Sequence, residues 1–329
     1  MTNPSDNIQS HQYSPFRRVG GKSRAIIACV LWGSAFAGAK IGLQYADPIL
    51  LSGIRFTLAG LLLVPVMMFR NVDFLSEIKK HWRFMLAFAF VQTFLQYGLF
   101  FLGIDKVPGA TSSIIVGAGP LFIAVLAHLS FKNDRLTLRK SVAILLGLAG
   151  IVFISLAKGK ISADNPEFYT GVGLLLLSVV VGGYTNIMVA KKKESNISPY
   201  ALTSFAHIIG GILLLITSLV FEKPTSFHFP IEFYGALLWL AFISAAGFSL
   251  WYGLLNRPDV KVSELNIWKF LIPVTGSILS WIFVKGESPD LPTIFGMVVI
   301  SAALLLVQSP DKFFKQWLQK IRSKHIENR

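Results

Sequence analysis

Acidic residues are scarce in this chain, with 17 Asp and Glu against 31 Lys and Arg in 329 residues, and no Asp or Glu falls in the middle of a long apolar stretch. That scarcity excludes the paired buried carboxylates of general acid–base chemistry. A single cysteine, Cys29, excludes an intramolecular disulfide and a thiolate metal cluster. There is no His-Glu-x-x-His and no glycine-rich phosphate loop followed by Lys, so zinc-hydrolase and nucleotide-hydrolase readings have nothing to carry them, and nothing calls for a cofactor or a metal. Charged residues of both signs make up only 15% of the chain and mean hydropathy is +0.60, well outside the composition of a soluble globular domain. The polar and then basic residues 1–23 precede an apolar stretch without a small-residue cleavage site, which reads as a cytoplasmic basic tail and a retained helix.

What the chain has in abundance is apolar runs of membrane-crossing length. Taking about 20 apolar residues per crossing, ten spans are expected, near residues 24–45, 48–70, 82–104, 108–131, 139–158, 169–190, 199–220, 231–255, 261–284 and 291–309. Helices are required, because lipid satisfies no backbone polar group and the runs are too uniformly apolar for barrel strands. The fold class expected is an all-α integral membrane protein.

The net charge of +14 sits in the short segments between these runs, which excludes nucleic acid as the reason for it and makes it a topology signal. With the N-terminus inside, Arg70, Lys79, Lys80, Arg83, Lys132, Arg135, Arg139, Lys140 and Lys191 to Lys193 all face the cytoplasm, while the other side receives only Lys106, Lys158, Lys160, Lys223 and Lys285. That bias predicts cytoplasmic N- and C-termini and an even number of spans in a bacterial inner membrane. Past residue 310, Phe313, Phe314, Trp317, Leu318 and Ile321 share a helical face ringed by Lys and Arg, the pattern of an amphipathic cytoplasmic tail in the headgroup region.

The chain also repeats itself. Leu95-Gln96-Tyr97-Gly98-Leu99 returns as Leu250-Trp251-Tyr252-Gly253-Leu254, and Pro120, Lys132, Asp134 and Leu138 return at constant offset as Pro273, Lys285, Glu287 and Leu291. Residues 24–158 and 169–309 therefore form two repeats of five helices each, and an odd count inserts the second repeat upside down relative to the first. Inverted repeats of this kind belong to secondary transporters, whose substrates bind near the midplane between the halves.

Candidate site residues follow from depth. Lys269 lies about 12 Å into its span at 1.5 Å per residue, too deep for easy snorkelling. Arg55 is comparably deep from the other surface, whereas Lys40 is near enough to a helix end to reach headgroups. A buried cation without a resident acid calls for an anionic partner such as a substrate carboxylate. Pro120 and Pro273, equivalent in the two repeats, each remove a backbone hydrogen bond at mid-membrane, which is either an ordinary kink or a cavity-lining break. Trp32, Gln92, Gln96, Tyr97, Tyr184, Asn186, Trp251, Tyr252, Asn266 and Trp268 supply aromatic and polar groups suited to a small organic solute, with interfacial anchoring the competing reading. Gly33-Ser34-Ala35, Gly117-Ala118-Gly119 and Gly182-Gly183 read as close-packing sites. Glu264 and His207 are the titratable candidates for proton coupling, His128 reads as interfacial, and a carrier without proton coupling fits equally well.

Trp32-Gly33-Ser34-Ala35-Phe36, Arg55-Phe56, Pro120-Leu121-Phe122 and Asp134-Arg135-Leu136-Thr137 followed by Gly147 and Gly150 resemble the first half of an EamA-domain protein of the drug/metabolite transporter superfamily, and Pro273-Val274, Gly286-Glu287 and Gly296 echo it in the second. Asp134, where the family usually has Glu, and Ser288-Pro289-Asp290 depart from the pattern, both in loops. The resemblance implies a ten-helix carrier with a central cavity that moves amino acids, other small metabolites or drugs, often outward. The partners expected are a small-molecule substrate and the lipid bilayer, and a homodimer is compatible with the sequence. Import, exchange of another metabolite class, and a receptor or structural membrane protein are the competing readings.

Overall fold

The structure, a computed structural model, describes residues 15–130, 136–161, 166–222, 228–257, 260 and 262–308. The amphipathic tail expected after residue 310 and the Asp134-Arg135 pair lie outside the described residues. Among the described residues the secondary structure is helical, with no strand. Helix α1 runs Pro15–Gly42, α2 Pro48–Phe69 and α3 Phe74–Phe88, which continues through a π-helical stretch, Ala89–Leu95, into α4, Gln96–Lys106. Helices α5 (Gly109–Gly117) and α6 (Gly119–Ser130) form one broken segment, followed by α7 (Leu138–Ile161), α8 (Pro166–Lys191), α9 (Pro199–Phe221) and α10 (Ile231–Leu255). A second broken segment comprises α11 (Val262–Asn266), a 3-10 stretch (Ile267–Phe270) and α12 (Leu271–Phe283), and α13 (Leu291–Gln308) closes the described chain.

Among the described residues, seven segments are long and apolar enough to cross a membrane: Gly21–Gly42, Pro48–Phe69, Phe74–Lys106, Gly109–Ser130, Pro166–Lys191, Pro199–Phe221 and Ile231–Leu255. Leu271–Phe283 and Leu291–Ala303 are shorter apolar helices. The exposed surface carries large apolar side chains such as Leu61, Phe69, Leu145, Leu219, Trp239 and Phe283, as expected where lipid is the solvent. The chain is an integral membrane protein. The segment expected at 82–104 begins just past a kink at His81 (φ −127°, ψ 15°), and the short helical stretch before it is started by Asp73, which accepts from the Ser76 amide at 3.0 Å.

With no hydrophobic drive between helices in lipid, association rests on close backbone approach, and glycine supplies it. Helix α2 lies along α9, where Gly60 carbonyl oxygen accepts from Ser204 Oγ at 2.9 Å and a Cβ on Gly211 would fall 2.6 Å from the Thr57 nitrogen. Helix α4 meets α8 through Gly103 and Gly171, each facing the other's backbone. Helix α5 crosses α12, where Gly117 packs on the Pro273 ring, Gly276 on Ser113, and the Ser113 and Ser277 hydroxyls stand 3.1 Å apart. Helix α1 packs on α10 and α12, and α7 on α13.

Two carboxylates clamp helix starts supplied by distant chain. Glu222 accepts from the Ile49 and Leu50 amides at 2.7 and 2.8 Å, and Glu287 accepts from Gly109 and Ala110 amides at 2.6 and 3.0 Å and from the Ser280 hydroxyl at 2.8 Å. The first-turn amides of a helix have no intrahelical partner, so an anion there satisfies donors and the helix dipole together. Lys40, expected to reach headgroups, instead folds onto the other kind of helix end: its Nζ donates to the Ile104 and Asp105 carbonyls at 3.0 and 3.2 Å, where α4 leaves carbonyls unpaired. His128 Nδ1 accepts from the Leu136 amide at 3.1 Å, a bond between the last turn of α6 and a residue just ahead of α7.

Candidate functional site

Both breaks in the helices sit where a proline follows. Helix α5 ends at Gly117, the Ala118 amide turns back to the Ile114 and Ile115 carbonyls, and α6 restarts at Gly119 just before Pro120. In the second segment the chain tightens to a 3-10 turn over Ile267–Phe270 and resumes as α12 two residues before Pro273. Proline cannot donate to the carbonyl one turn back, and its ring clashes there, so the preceding turn must rearrange. The rearranged turns carry Val116 in one segment and Lys269 in the other, and both residues line a cavity of about 100 Å³ within the bundle, partly open to solvent.

The described cavity wall is assembled from eight helices and the 3-10 turn. Trp32 and Phe36 come from α1, Arg55 from α2, Gln96, Tyr97 and Phe100 from α4, Asn186 with Gly182 and Gly183 from α8, and Phe248, Trp251 and Tyr252 from α10. Trp32 lies 5.1 Å from both Phe248 and Trp251 ring centroids, and Tyr97 lies 5.8 Å from Phe248, so the aromatic rings form a continuous face. Polar contacts hold that face in place. Trp251 Nε1 donates to Asn186 Oδ1 at 2.8 Å, and Asn186 Nδ2 donates to the Gly182 carbonyl at 2.6 Å. Gly182 is glycine because a Cβ would lie 2.7 Å from Gln96 Nε2.

The electrostatics are one-signed: two cations line the cavity, and no Asp or Glu is among the described residues lining it. Lys269, half-buried, places Nζ 4.8 Å from the Trp251 ring centroid and 5.7 Å from that of Trp32. Arg55 is 2% exposed; its Nε donates to Ser244 Oγ at 2.9 Å and its guanidinium lies 4.8, 5.5 and 5.8 Å from the Phe56, Phe101 and Tyr97 ring centroids. Arg55 Nη1 is buried with no hydrogen-bond partner, and so are Gln96 Oε1 and Trp32 Nε1. Ring faces attract a cation but do not replace hydration of a whole guanidinium or ammonium. The wall thus offers two unmatched donors, Arg55 Nη1 and Trp32 Nε1, and one unmatched acceptor, Gln96 Oε1.

Of the residues singled out by sequence, Lys269, Arg55, Trp32, Gln96, Tyr97, Asn186, Trp251 and Tyr252 are brought together on this wall. Gln92 is not: the π-helical turn directs it inward, where its Oε1 accepts from Thr93 Oγ1 at 2.6 Å. Tyr184 is 52% exposed and turned outward, Trp268 packs against the core beside the cavity, and Asn266 is buried with Nδ2 bonded to the Val262 carbonyl at 2.8 Å. His207 is buried behind the wall, 3.3 Å from Thr93 Oγ1 and ringed by Phe56 and Phe248. Glu264 lies on α11, and its side chain falls outside the described residues. Residues that sequence reasoning passed over are Phe36, Phe100 and Phe248, each one helical turn from a residue it did select, and Ser244, which orients Arg55.

The profile of the EamA-like transporter family matches residues 21–156 and again residues 169–309. The chain belongs to this family. It is 28% identical over 287 residues to the Bacillus subtilis (strain 168) "Uncharacterized transporter YvbV", covering 86% of this chain and 90% of that protein. It is 25% identical over 294 residues to a Salmonella typhimurium (strain LT2) protein named "Probable amino-acid metabolite efflux pump", covering 86% and 92%. A crystal structure matches with a TM-score of 0.68 at 19% identity, covering 88% of this chain and 97% of the other, and at that identity it speaks for the fold alone. The two profile matches divide the EamA transporter just where its sequence repeats.

Proposed function

We propose that this EamA transporter exports a small organic solute bearing a carboxylate, an amino acid or a related metabolite, by alternating access through the central cavity. The observation that carries the reading is the pair of cations, Lys269 and Arg55, on an aromatic wall with no acid among the described lining residues. A carboxylate on this wall would accept donors left open and lift the cost of holding charge in a low-dielectric site. Ten crossings arranged as two inverted five-helix repeats, with both termini cytoplasmic, complete the proposal. The helix pairings support it: exchanging the two halves turns the α1–α10 pairing into the α4–α8 pairing and the α5–α12 pairing into the α6–α11 pairing, and maps α2–α9 and α7–α13 onto themselves. The Salmonella relative's name, with its amino-acid metabolite efflux, is in keeping with an outward carboxylate cargo.

The test is counterflow in proteoliposomes loaded with mixed amino acids and organic acids, with Lys269→Met and Lys269→Gln beside the unaltered protein. Carboxylate flux is expected to fall about tenfold or more in both variants at equal reconstitution. Unchanged flux and affinity in both would refute the reading. An imposed pH gradient separates coupling modes: acceleration by it supports a proton-driven cycle through Glu264 or His207, and indifference supports a carrier driven by the solute gradient.

A further inference from the structure

One carboxylate would leave half of this site unexplained. Lys269 stands over Trp32 and Trp251, while Arg55 stands beside Tyr97 on a different helix, and the ring face running Trp32–Phe248–Tyr97 lies between them, with centroid spacings of 5.1 and 5.8 Å. The two cations therefore stand against different rings of one aromatic face, Lys269 at Trp32 and Trp251 and Arg55 at Phe56, Phe101 and Tyr97. A monocarboxylate on Lys269 leaves Arg55 Nη1 buried and unpartnered, as it is now. A zwitterionic amino acid does worse, because its ammonium would enter a wall that already holds two cations and whose described lining residues include no acid.

We infer that the preferred cargo is a dianion, two carboxylate-like groups joined by a short carbon spacer. This rests on the carboxylate-transport reading above and narrows it. One anionic end pairs with Lys269 and the other with the Arg55 guanidinium, whose open Nη1 completes its donor set. The spacer lies along the rings, where CH groups gain contact and lose water. Ser244 holds Arg55 through Nε at 2.9 Å and so fixes which edge of the guanidinium faces the cavity.

The experiment is calorimetric titration of the purified full-length protein in nanodiscs with unbranched α,ω-dicarboxylates of four to eight carbons, each against the monocarboxylate and the neutral-side-chain α-amino acid of equal carbon number, followed by counterflow of the best binder. At least one dicarboxylate is expected to bind about tenfold or more tightly than both of its counterparts. Lys269→Met and Arg55→Met should each reduce that preference to about twofold or less, since either variant leaves a single anchor. Because Arg55 is buried, Arg55→Lys serves as the folded control and should retain a preference. If dicarboxylates, monocarboxylates and amino acids bind alike, the dianion inference falls while carboxylate transport stands. If dicarboxylates bind best but the preference survives Lys269→Met, the two-anchor assignment falls. If no carboxylate of any class binds while an unrelated solute is transported, both readings fall.

Discussion

Replacing Glu287 with Gln tests whether carboxylate clamps on helix starts hold this bundle together. Glu287 accepts from the Gly109 and Ala110 amides at 2.6 and 3.0 Å and from the Ser280 hydroxyl at 2.8 Å, tying the loop after α12 to the first turn of α5. Gln keeps the shape and one oxygen, but its NH2 faces an N–H where an acceptor stood, and the charge at the helix start is gone. The charged hydrogen bond lost is worth about 1.5–3 kcal/mol. The dipole interaction adds about 0.3–1 kcal/mol. Glu287 is only half-buried, so solvent screening favours the low end, about 2 kcal/mol in all. At about 2 °C per kcal/mol for a chain of this size the thermal midpoint should fall by about 4 °C. Glu222→Gln, which breaks the same arrangement on Ile49 and Leu50, should cost a similar amount, and the two should add because they share no partner. Thermal unfolding in detergent followed by size-exclusion chromatography measures this, with Lys106→Gln as the comparison. The Lys106–Glu167 pair, 3.3 Å apart, has side chains 26% and 69% exposed and should shift the midpoint by about 1 °C or less. Glu287→Gln behaving like Lys106→Gln would refute the clamp argument.

Other outcomes follow from packing and burial. A Cβ on Gly117 would lie 2.7 Å from Pro273 Cγ, and a proline ring cannot swing aside, so Gly117→Ala should destabilise by about 1–3 kcal/mol, while Gly173→Ala, with nothing within 4 Å of its Cβ, should be neutral or stabilise by about 0.5–1 kcal/mol; thermal midpoints of the pair decide it. Cys29 is fully buried, so maleimide labelling followed by intact-mass measurement should leave the folded protein unmodified and give one adduct after denaturation. Trp251→Phe removes the 2.8 Å bond to Asn186 and leaves Asn186 Oδ1 buried without its donor, so affinity for the transported solute in proteoliposomes should fall about fivefold or more; unchanged affinity would exclude a positioning role for that bond.

How much was legible in the sequence depended on whether a residue type by itself carries the signal. Segment limits did: the helices Pro48–Phe69, Pro199–Phe221 and Ile231–Leu255 begin and end within a residue or so of the apolar runs, because polar and proline-rich flanks cannot continue in lipid. The breaks at Pro120 and Pro273 were legible in part, since proline removes a hydrogen bond from the preceding turn, although Pro65 sits inside α2 without ending it. The π-helical stretch Ala89–Leu95, which packs against α9, was not, because it contains neither Pro nor Gly to mark it. That single irregularity explains why Gln92 turns inward while Gln96, one turn on, reaches the cavity. Lys40 was misjudged because a sequence shows how close a cation is to a helix end and not which neighbouring carbonyls stand open there. Phe248 could have been found by stepping one turn back from Trp251 and Tyr252 on a cavity-facing stripe.

The repeat reading gives the charges their meaning. Under the offsets that relate the two halves, Lys269 stands where Val116 does and Arg55 where Ala206 does. Val116 also lines the cavity, on the turn ahead of Pro120, so the scaffold builds the same broken helix twice and arms it with a cation once. Ala206 is fully buried in α9, with no charge to match Arg55 on α2. A cavity charged alike in both halves would hold a solute in either direction; on the proposed reading, one whose described lining is charged at Lys269 and Arg55 would hold an anion in one orientation relative to the bundle. In a carrier that works by exchanging the roles of its two halves, the shape of the path belongs to the repeated residues, Pro120, Pro273 and the glycines that face them. Selection then rests on the positions where the halves differ.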